Sequence, residues 1–374
     1  MIRKIIRISI IILIIIVINK VYAIDITKEI EQEINLNSML DTLEEYTEKN
    51  DINLYDIKED LVNGNIIDYG VIGGFFKDKI SNMKVMLKLP VTLLLIVILL
   101  AVINSLELDE KSGITKIVNL IGFLIICSIS LEIYKEQINS FIGLTSNITD
   151  IMNIIIPFVV GMLIATGEIV TSGVLGPILL TLTSIIGIVI TKVVCPMLSL
   201  SIIFKLISSI SKKVKLNKFA SFVNSSALWI VGIIFTVFLA VLELQTTLTT
   251  SVDSVTIKTT QAAVSNVVPV VGKFVSDSLE VVMGASQIIG KSMGIIGIIV
   301  IIVVTMSPIL EIIFWIIAFS ILAGFAEMLI SKSQLSNLFD SFKTTYKTIL
   351  GLISGCAVTY IISIGIIIKL IGNI

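Results

Sequence analysis

The apolar positions along this chain come mostly in unbroken runs of about 20 residues, as membrane-spanning helices require, and seldom at amphipathic spacing. From Leu89 onward the pattern predicts spans near 88–106, 114–134, 151–168, 173–191, 193–210, 227–244, 292–308, 310–330 and 348–371. Seven to nine crossings are expected. The pair around Lys192 and Pro196 reads either as one broken helix or as two short spans, and Pro308-Ile309-Leu310-Glu311 reads as a tight turn or a kink. The predicted fold class is therefore all-α, a polytopic membrane helical bundle.

Two regions depart from this pattern. Residues 1–23 have a basic start (Arg3, Lys4, Arg7), an apolar stretch from Ile8 to Ile18 and an end at Val21-Tyr22-Ala23, the pattern of an export signal. Residues 24–87 hold fourteen Asp or Glu against six Lys. Within them Ile34, Leu36, Leu40, Leu43 and Thr47, and then Leu54, Ile57 and Leu61 before Asn63-Gly64, fall near helical spacing. Two short amphipathic helices on the extracytoplasmic side are expected, either as a docking surface or as a solvated lead-in. The remaining divisions are a first membrane bundle over 88–244, a polar segment over 245–290 and C-terminal spans over 291–374.

Orientation follows from the basic loops. Residues 211–222, SKKVKLNKFASF, hold Lys212, Lys213, Lys215 and Lys218 and no acid, which marks them as cytoplasmic. On the nine-span count, Lys332, Lys343 and Lys347 fall on the opposite side, a conflict that an extra or re-entrant crossing within 261–285 would repair.

Composition narrows the chemistry. Hydrophobic residues make up 55% of 374 positions and charged residues 15%, with a mean hydropathy of +1.05; soluble domains run at roughly 25% charged. A net charge of −1 leaves no basic tract for nucleic acid. There is no histidine, which removes the commonest general base and the usual zinc and haem ligands. Cys127, Cys195 and Cys356 lie far apart in apolar runs and read as packing residues. Neither a phosphate loop nor a nucleophile elbow occurs, so no cofactor is expected and any energy source must be a gradient or another subunit.

The candidate functional residues are the polar ones at membrane depth. Residues 245–265 contain ten Ser or Thr with Asp253 and Lys258, followed by Pro269, Gly272, Lys273, Asp277 and Glu280. A re-entrant segment lining an aqueous cavity, or an amphipathic pair on the bilayer surface, would suit that composition. Glu168, Glu243, Lys291, Glu311 and Glu327 lie in or beside spans, where a charge costs several kcal/mol unless it meets water or a partner. Glu168, inside GEIVTSGVLGP, and Glu311, after a proline, are the pore-lining or proton-relay candidates. Gly290-x-x-x-Gly294, Gly351-x-x-x-Gly355 and Gly161 with Ala165 have the spacing of close helix packing.

Several blocks appear in a familiar order. GEIVTSGVLGPILL (167–180), KFASFVNSSALWIVGIIFTVFLAVLELQ (218–245) and SVDSVTIKTTQAAVSNVVPVVGKFVSDSLEVVMGAS (251–286) resemble those of the stage III sporulation protein AE family of endospore-forming Firmicutes. The resemblance implies a non-enzymatic membrane subunit of the transenvelope channel between mother cell and forespore. Its implied partners are other proteins of the stage III sporulation A operon, among them a secretion-type ATPase, the stage II sporulation protein Q, the lipid bilayer and further copies of itself. It also implies a place in the mother-cell membrane around the forespore, with the acidic segment between the two membranes. A secondary transporter, which would carry an internal repeat, and an intramembrane carboxylate protease, which would need two converging carboxylates such as Glu168 and Glu311, are the alternatives.

Overall fold

The computed structural model describes residues 36–47, 53–62, 86–106, 113–210, 216–267, 271–330 and 334–371. The export-signal pattern, Lys212, Lys213, Lys215, Lys332 and Pro269 lie outside the described residues. So do the side chains of Asp253, Lys258, Gly272, Lys273, Asp277 and Glu280, whose backbone is helical. Every regular element described is a helix: α1 (Leu36–Thr47), α2 (Leu54–Val62), α3 (Lys88–Leu106), α4 (Gly113–Ala165), α5 (Ile169–Val189), a π-helical turn (Ile190–Val194), α6 (Cys195–Ile210), α7 (Asn217–Val267), α8 (Val271–Leu329) and α9 (Gln334–Ile371).

Six of these stretches are long and apolar enough to cross a membrane: Lys88–Ser105, Ile117–Ala165, Ile169–Ser209, Asn217–Leu248, Ser286–Leu329 and Gln334–Ile371. This departs from the sequence-based count of seven to nine, because three pairs of predicted spans are joined. The windows 114–134 and 151–168 share α4, whose 53 residues extend about 80 Å at 1.5 Å per residue. Residues between those windows are polar by composition but amphipathic by period. Tyr134, Gln137, Phe141, Leu144, Ile148 and Ile151 are buried at three- and four-residue steps while Lys135, Asn139 and Asn147 face out. The windows 173–191 and 193–210 meet at the π-turn, where the Cys195 amide reaches back to the Ile190 carbonyl. There the helix absorbs Pro196, which has no N–H to donate. Pro308 likewise sits inside α8 without ending it.

The bundle core is formed by α4, α8 and α9. α8 and α9 run antiparallel. Phe319 stacks on Phe342 with centroids 5.3 Å apart near one end, and Gly294 meets Ile368 near the other, where a Cβ would fall 2.4 Å from Ile368 Cγ1. A Cβ on Gly290 would reach Met162, and one on Gly297 would reach Ile155, so the Gly290/Gly294 pair does mediate close packing. Gly355 approaches Phe235 in the same manner. Gly161 and Ala165, by contrast, face outward, and nothing approaches Gly161; that expected contact is absent.

Hydrogen bonds fix the relative direction of the hairpins. Lys205 Nζ donates to Thr345 Oγ1 over 3.2 Å, and Asn224 Nδ2 donates to Thr348 Oγ1 over 2.7 Å. The α6–α7 connection and the start of α9 therefore lie at one end, so Lys218, Lys343 and Lys347 share a side. This corrects the expected conflict between the two basic regions. Continuous helices in place of extra turns restore the parity.

The polar segment 245–290 is helical up to Val267 and again from Val271. The irregular backbone that a re-entrant loop needs is not found at 245–267 or 271–290. Threonines are accommodated by bonding back to the preceding turn, as Thr246 and Thr247 do to the Glu243 carbonyl over 2.9 Å each.

The two predicted amphipathic helices form, with Leu40, Leu43 and Leu54 fully buried against α8 and α4. Their apolar faces are thus spent on this chain's own bundle, and only a polar face with Asp41, Glu45, Asp56 and Glu59 stays exposed. Asn53 caps α2 by accepting the Tyr55 amide over 2.9 Å. The Tyr55 hydroxyl donates to Asp41, which ties the two helices together and pushes the phenol up to about 12.

Candidate functional site

Among the described residues, two charged side chains of the membrane bundle are almost wholly buried, Glu168 at 1% exposure and Lys205 at 5%. They sit at opposite ends. The Glu168 site is a three-residue turn between α4 and α5. The Gly167 amide donates to the Ile164 carbonyl over 3.0 Å and the Glu168 amide to the Leu163 carbonyl over 2.9 Å. That pairing ends α4 in a Schellman motif and places its left-handed residue at position 167. Gly167 has φ 89°, so the glycine of GEIVTSG is required by the turn. Glu168 then stands at the N-cap of α5, where a carboxylate is favoured by the helix dipole. Its Oε2 accepts the buried Thr171 hydroxyl over 3.1 Å.

The Lys205 site is a polar layer among α4, α6, α7 and α9 near the basic end. Lys205 arises from the run SIIFKLISSI, one turn inside the end of α6, and its ammonium donates to the Thr345 hydroxyl. No carboxylate pairs with it among the described residues. Around it, Ser201 Oγ donates to the Ala220 carbonyl over 2.8 Å, and the Tyr134 and Ser199 hydroxyls lie 3.3 Å apart. Asn224 spends its amide nitrogen on Thr348. The Asn224 Oδ1 and the Tyr346 hydroxyl have no partner, although both are buried. The orphaned atoms belong to α7 and α9, two of the helices that pack around Lys205, and orphaned buried atoms mark places where the partner is water. Tyr346 is stacked on Phe319 at 5.5 Å and lies edge-on to Tyr134 at 6.4 Å, so aromatic rings wall the layer.

The other sequence candidates are dispersed. Glu311 is half-buried one turn beyond Pro308, with the Ser307 hydroxyl at 3.5 Å. Gly290 packs on Met162, near the Glu168 turn, and Glu311 lies a further 30 Å or so along α8. The two carboxylates do not converge, and the pair that an intramembrane carboxylate protease needs is not assembled from them. Glu243 and Glu327 are exposed. All three cysteines are free and buried, and no group of three metal-ligating side chains occurs among the described residues. Lys205 and Asn224 were not singled out in the sequence. The available signal was a lysine with no acid near it inside an apolar run.

The comparisons with known proteins bear on this arrangement directly. The sequence profile of Stage III sporulation protein AE (spore_III_AE) matches residues 54–370, which takes in both buried charges and every long helix. The chain belongs to the stage III sporulation protein AE family. It is also similar to the stage III sporulation protein AE of Bacillus subtilis (strain 168), with 24% identity over 226 residues. That stretch is 60% of this chain and 57% of the relative, so the match spans little more than half of each protein. No solved structure matches. Within this family the GEIVTSG block now has a structural meaning, as the Schellman turn that buries Glu168.

Proposed function

We propose that this chain is a non-enzymatic membrane subunit of the channel complex that joins mother cell and forespore during endospore formation. The observation that carries the reading is the family match over 54–370 on a bundle that buries Lys205 with no carboxylate partner among the described residues. A packed bundle with no role in conduction or gating would replace such a charge, which is costly at membrane depth.

The basic end, with Lys218, Lys343 and Lys347, is cytoplasmic by the positive-inside rule. The acidic helices α1 and α2 then face the space between the two membranes. With no phosphate loop in the chain, energy comes from a secretion-type ATPase of the same operon. The stage II sporulation protein Q meets the complex from the forespore side.

Deletion in the parent organism is expected to block spore development after engulfment while vegetative growth continues. A growth defect without a sporulation defect would argue instead for a housekeeping transporter. Orientation is read separately: single cysteines at Lys213 and Asn337 should be shielded from, or open to, an impermeant thiol reagent together. Opposite labelling would overturn the six-helix arrangement.

A further inference from the structure

The start of α3 marks a level on the bundle. Asn104 and Asn119 exchange side-chain hydrogen bonds over 2.9 and 2.8 Å, and a Cβ on Gly122 would fall 2.5 Å from Leu100 Cδ2, so α3 runs antiparallel to the first turns of α4. Carried along both helices at the same rise, that register brings Lys88 level with Tyr134. On one side of this level the hairpin is apolar, exposing Leu95, Ile98 and Leu99 on α3 and Leu120, Leu124 and Ile125 on α4. On the other side α4 turns Glu132, Lys135, Glu136 and Asn139 outward, and α1 packs against it. The change from lipid-compatible to charged surface therefore falls at Glu132–Lys135, which is the depth of lipid headgroups.

A groove of about 390 Å³ opens at this level between α4 and α6. The Tyr134 and Ser199 hydroxyls, 3.3 Å apart, pin the two helices together across it. Leu131, Ile138 and Ile202 line it with hydrocarbon, Ile203 forms an exposed apolar lip, and Glu132 and Lys135 stand at the rim. From the Tyr134–Ser199 contact α4 leads back to Leu124 and Ile125, and α6 leads on to Ile207, all exposed. The apolar floor is thus continuous with the surface that meets lipid chains, and a ligand with an acyl chain can enter sideways from the bilayer.

The rim selects the headgroup. The Lys135 ammonium and the Glu132 carboxylate lie 3.7 Å apart, with 68% and 67% of their side chains exposed. A pair this open contributes little to stability, so either charge can change partner at small cost. Held one turn apart on α4, the two charges match a headgroup that carries a phosphate and an ammonium of its own. Lys135 donates to the phosphate, and Glu132 accepts N–H bonds from a primary amine. Glu136, exposed beside them, makes the rim net negative, which disfavours a headgroup with a phosphate alone.

We propose that the α4–α6 groove binds a phospholipid of the ethanolamine class, with an acyl chain along Leu131, Ile203 and Ile207 and its headgroup exchanged into the Glu132–Lys135 pair. The test adds phosphatidylethanolamine, phosphatidylcholine or phosphatidylglycerol of one acyl composition to the purified full chain in detergent and follows the thermal midpoint. Phosphatidylethanolamine should raise the midpoint by about 4 °C, as a ligand of the folded state does. Phosphatidylcholine, whose ammonium has no N–H, should give less than half of that shift, and phosphatidylglycerol none. Ile203→Trp, which fills the groove, should abolish the shift, whereas Ile233→Trp, on the exposed face of α7, should keep it. Glu132→Gln and Lys135→Ala, both at exposed positions that folding tolerates, should each reduce it by more than half.

Equal shifts from all three lipids would show non-selective coating of the apolar surface and overturn the site. A phosphatidylethanolamine shift that survives Ile203→Trp would put the lipid elsewhere and overturn it equally. Phosphatidylglycerol acting as strongly as phosphatidylethanolamine, with a loss in Lys135→Ala and none in Glu132→Gln, would show a phosphate site and overturn the ethanolamine assignment. Should Ile203→Trp fail to fold, the two rim variants decide, and unchanged shifts in both overturn the proposal.

Discussion

Glu168 and Lys205 are both buried charges in apolar helices, yet their surroundings are built on opposite terms. Glu168 is held by a turn that supplies a helix N-terminus and a buried hydroxyl within three residues of sequence. Lys205 is held by a residue 140 positions away, through one hydroxyl, and two of the helices packed around it carry an orphaned amide oxygen and an orphaned phenol. The first charge is explained by its fold; the second is tolerated by it. A residue whose environment compensates it reads as structural, and one whose environment does not reads as retained for another purpose.

The largest effect should come from breaking the Glu168 turn itself. Gly167→Val places a β-branched side chain at φ 89° and is expected to cost about 1–3 kcal/mol, read as a lower thermal midpoint in detergent. Glu168→Leu removes the acceptor of the Thr171 hydroxyl and should cost about 1–2 kcal/mol. Glu168→Gln retains an acceptor and should cost less than half of that. Lys205→Met runs the other way, because it removes a desolvated charge without stranding a partner acid. Stability should be unchanged or raised by up to about 1 kcal/mol, while complementation of a sporulation defect is lost. If Lys205→Met destabilises the protein as much as Glu168→Leu does, the contrast between the two sites is wrong.

The smallest effect concerns the α1–α2 pair outside the membrane. The Tyr55 phenol is raised by donating to Asp41, so its contribution is fully present below about pH 10, the unfolded value. It is lost as pH rises through about 12. Protease sensitivity of α1 and α2 should increase over that window in the wild type and show no such step in Tyr55→Phe.

Much of this architecture is legible in the order of residues, and the failures have physical causes. Runs such as LLLIVILLAVI in α3 and the two amphipathic helices α1 and α2 follow directly from their apolar spacing. Residues 135–150 read as a connection because hydropathy averages over the helix circumference and hides a buried stripe through Phe141, Leu144 and Ile148. Prolines at 196 and 308 suggest interruptions, but both lie within helices, since neighbouring helices and a π-turn can take up the lost bonds. The GEIVTSG block drew notice for its carboxylate, and the glycine before it gave the turn. Lys205 could be noticed as an isolated charge, but its partners lie on α9 and no local pattern announces them.

The π-turn at Ile190–Val194 amounts to one residue more than an unbroken helix would need. It behaves as a phase shifter of about 100° between the half of the rod that begins at Glu168 and the half that carries Lys205. Excising a single residue there would heal the helix while rotating one half against the other, so that Lys205 would swing away from Thr345. The two buried charges can be faced correctly together only because the chain carries this one surplus residue between them.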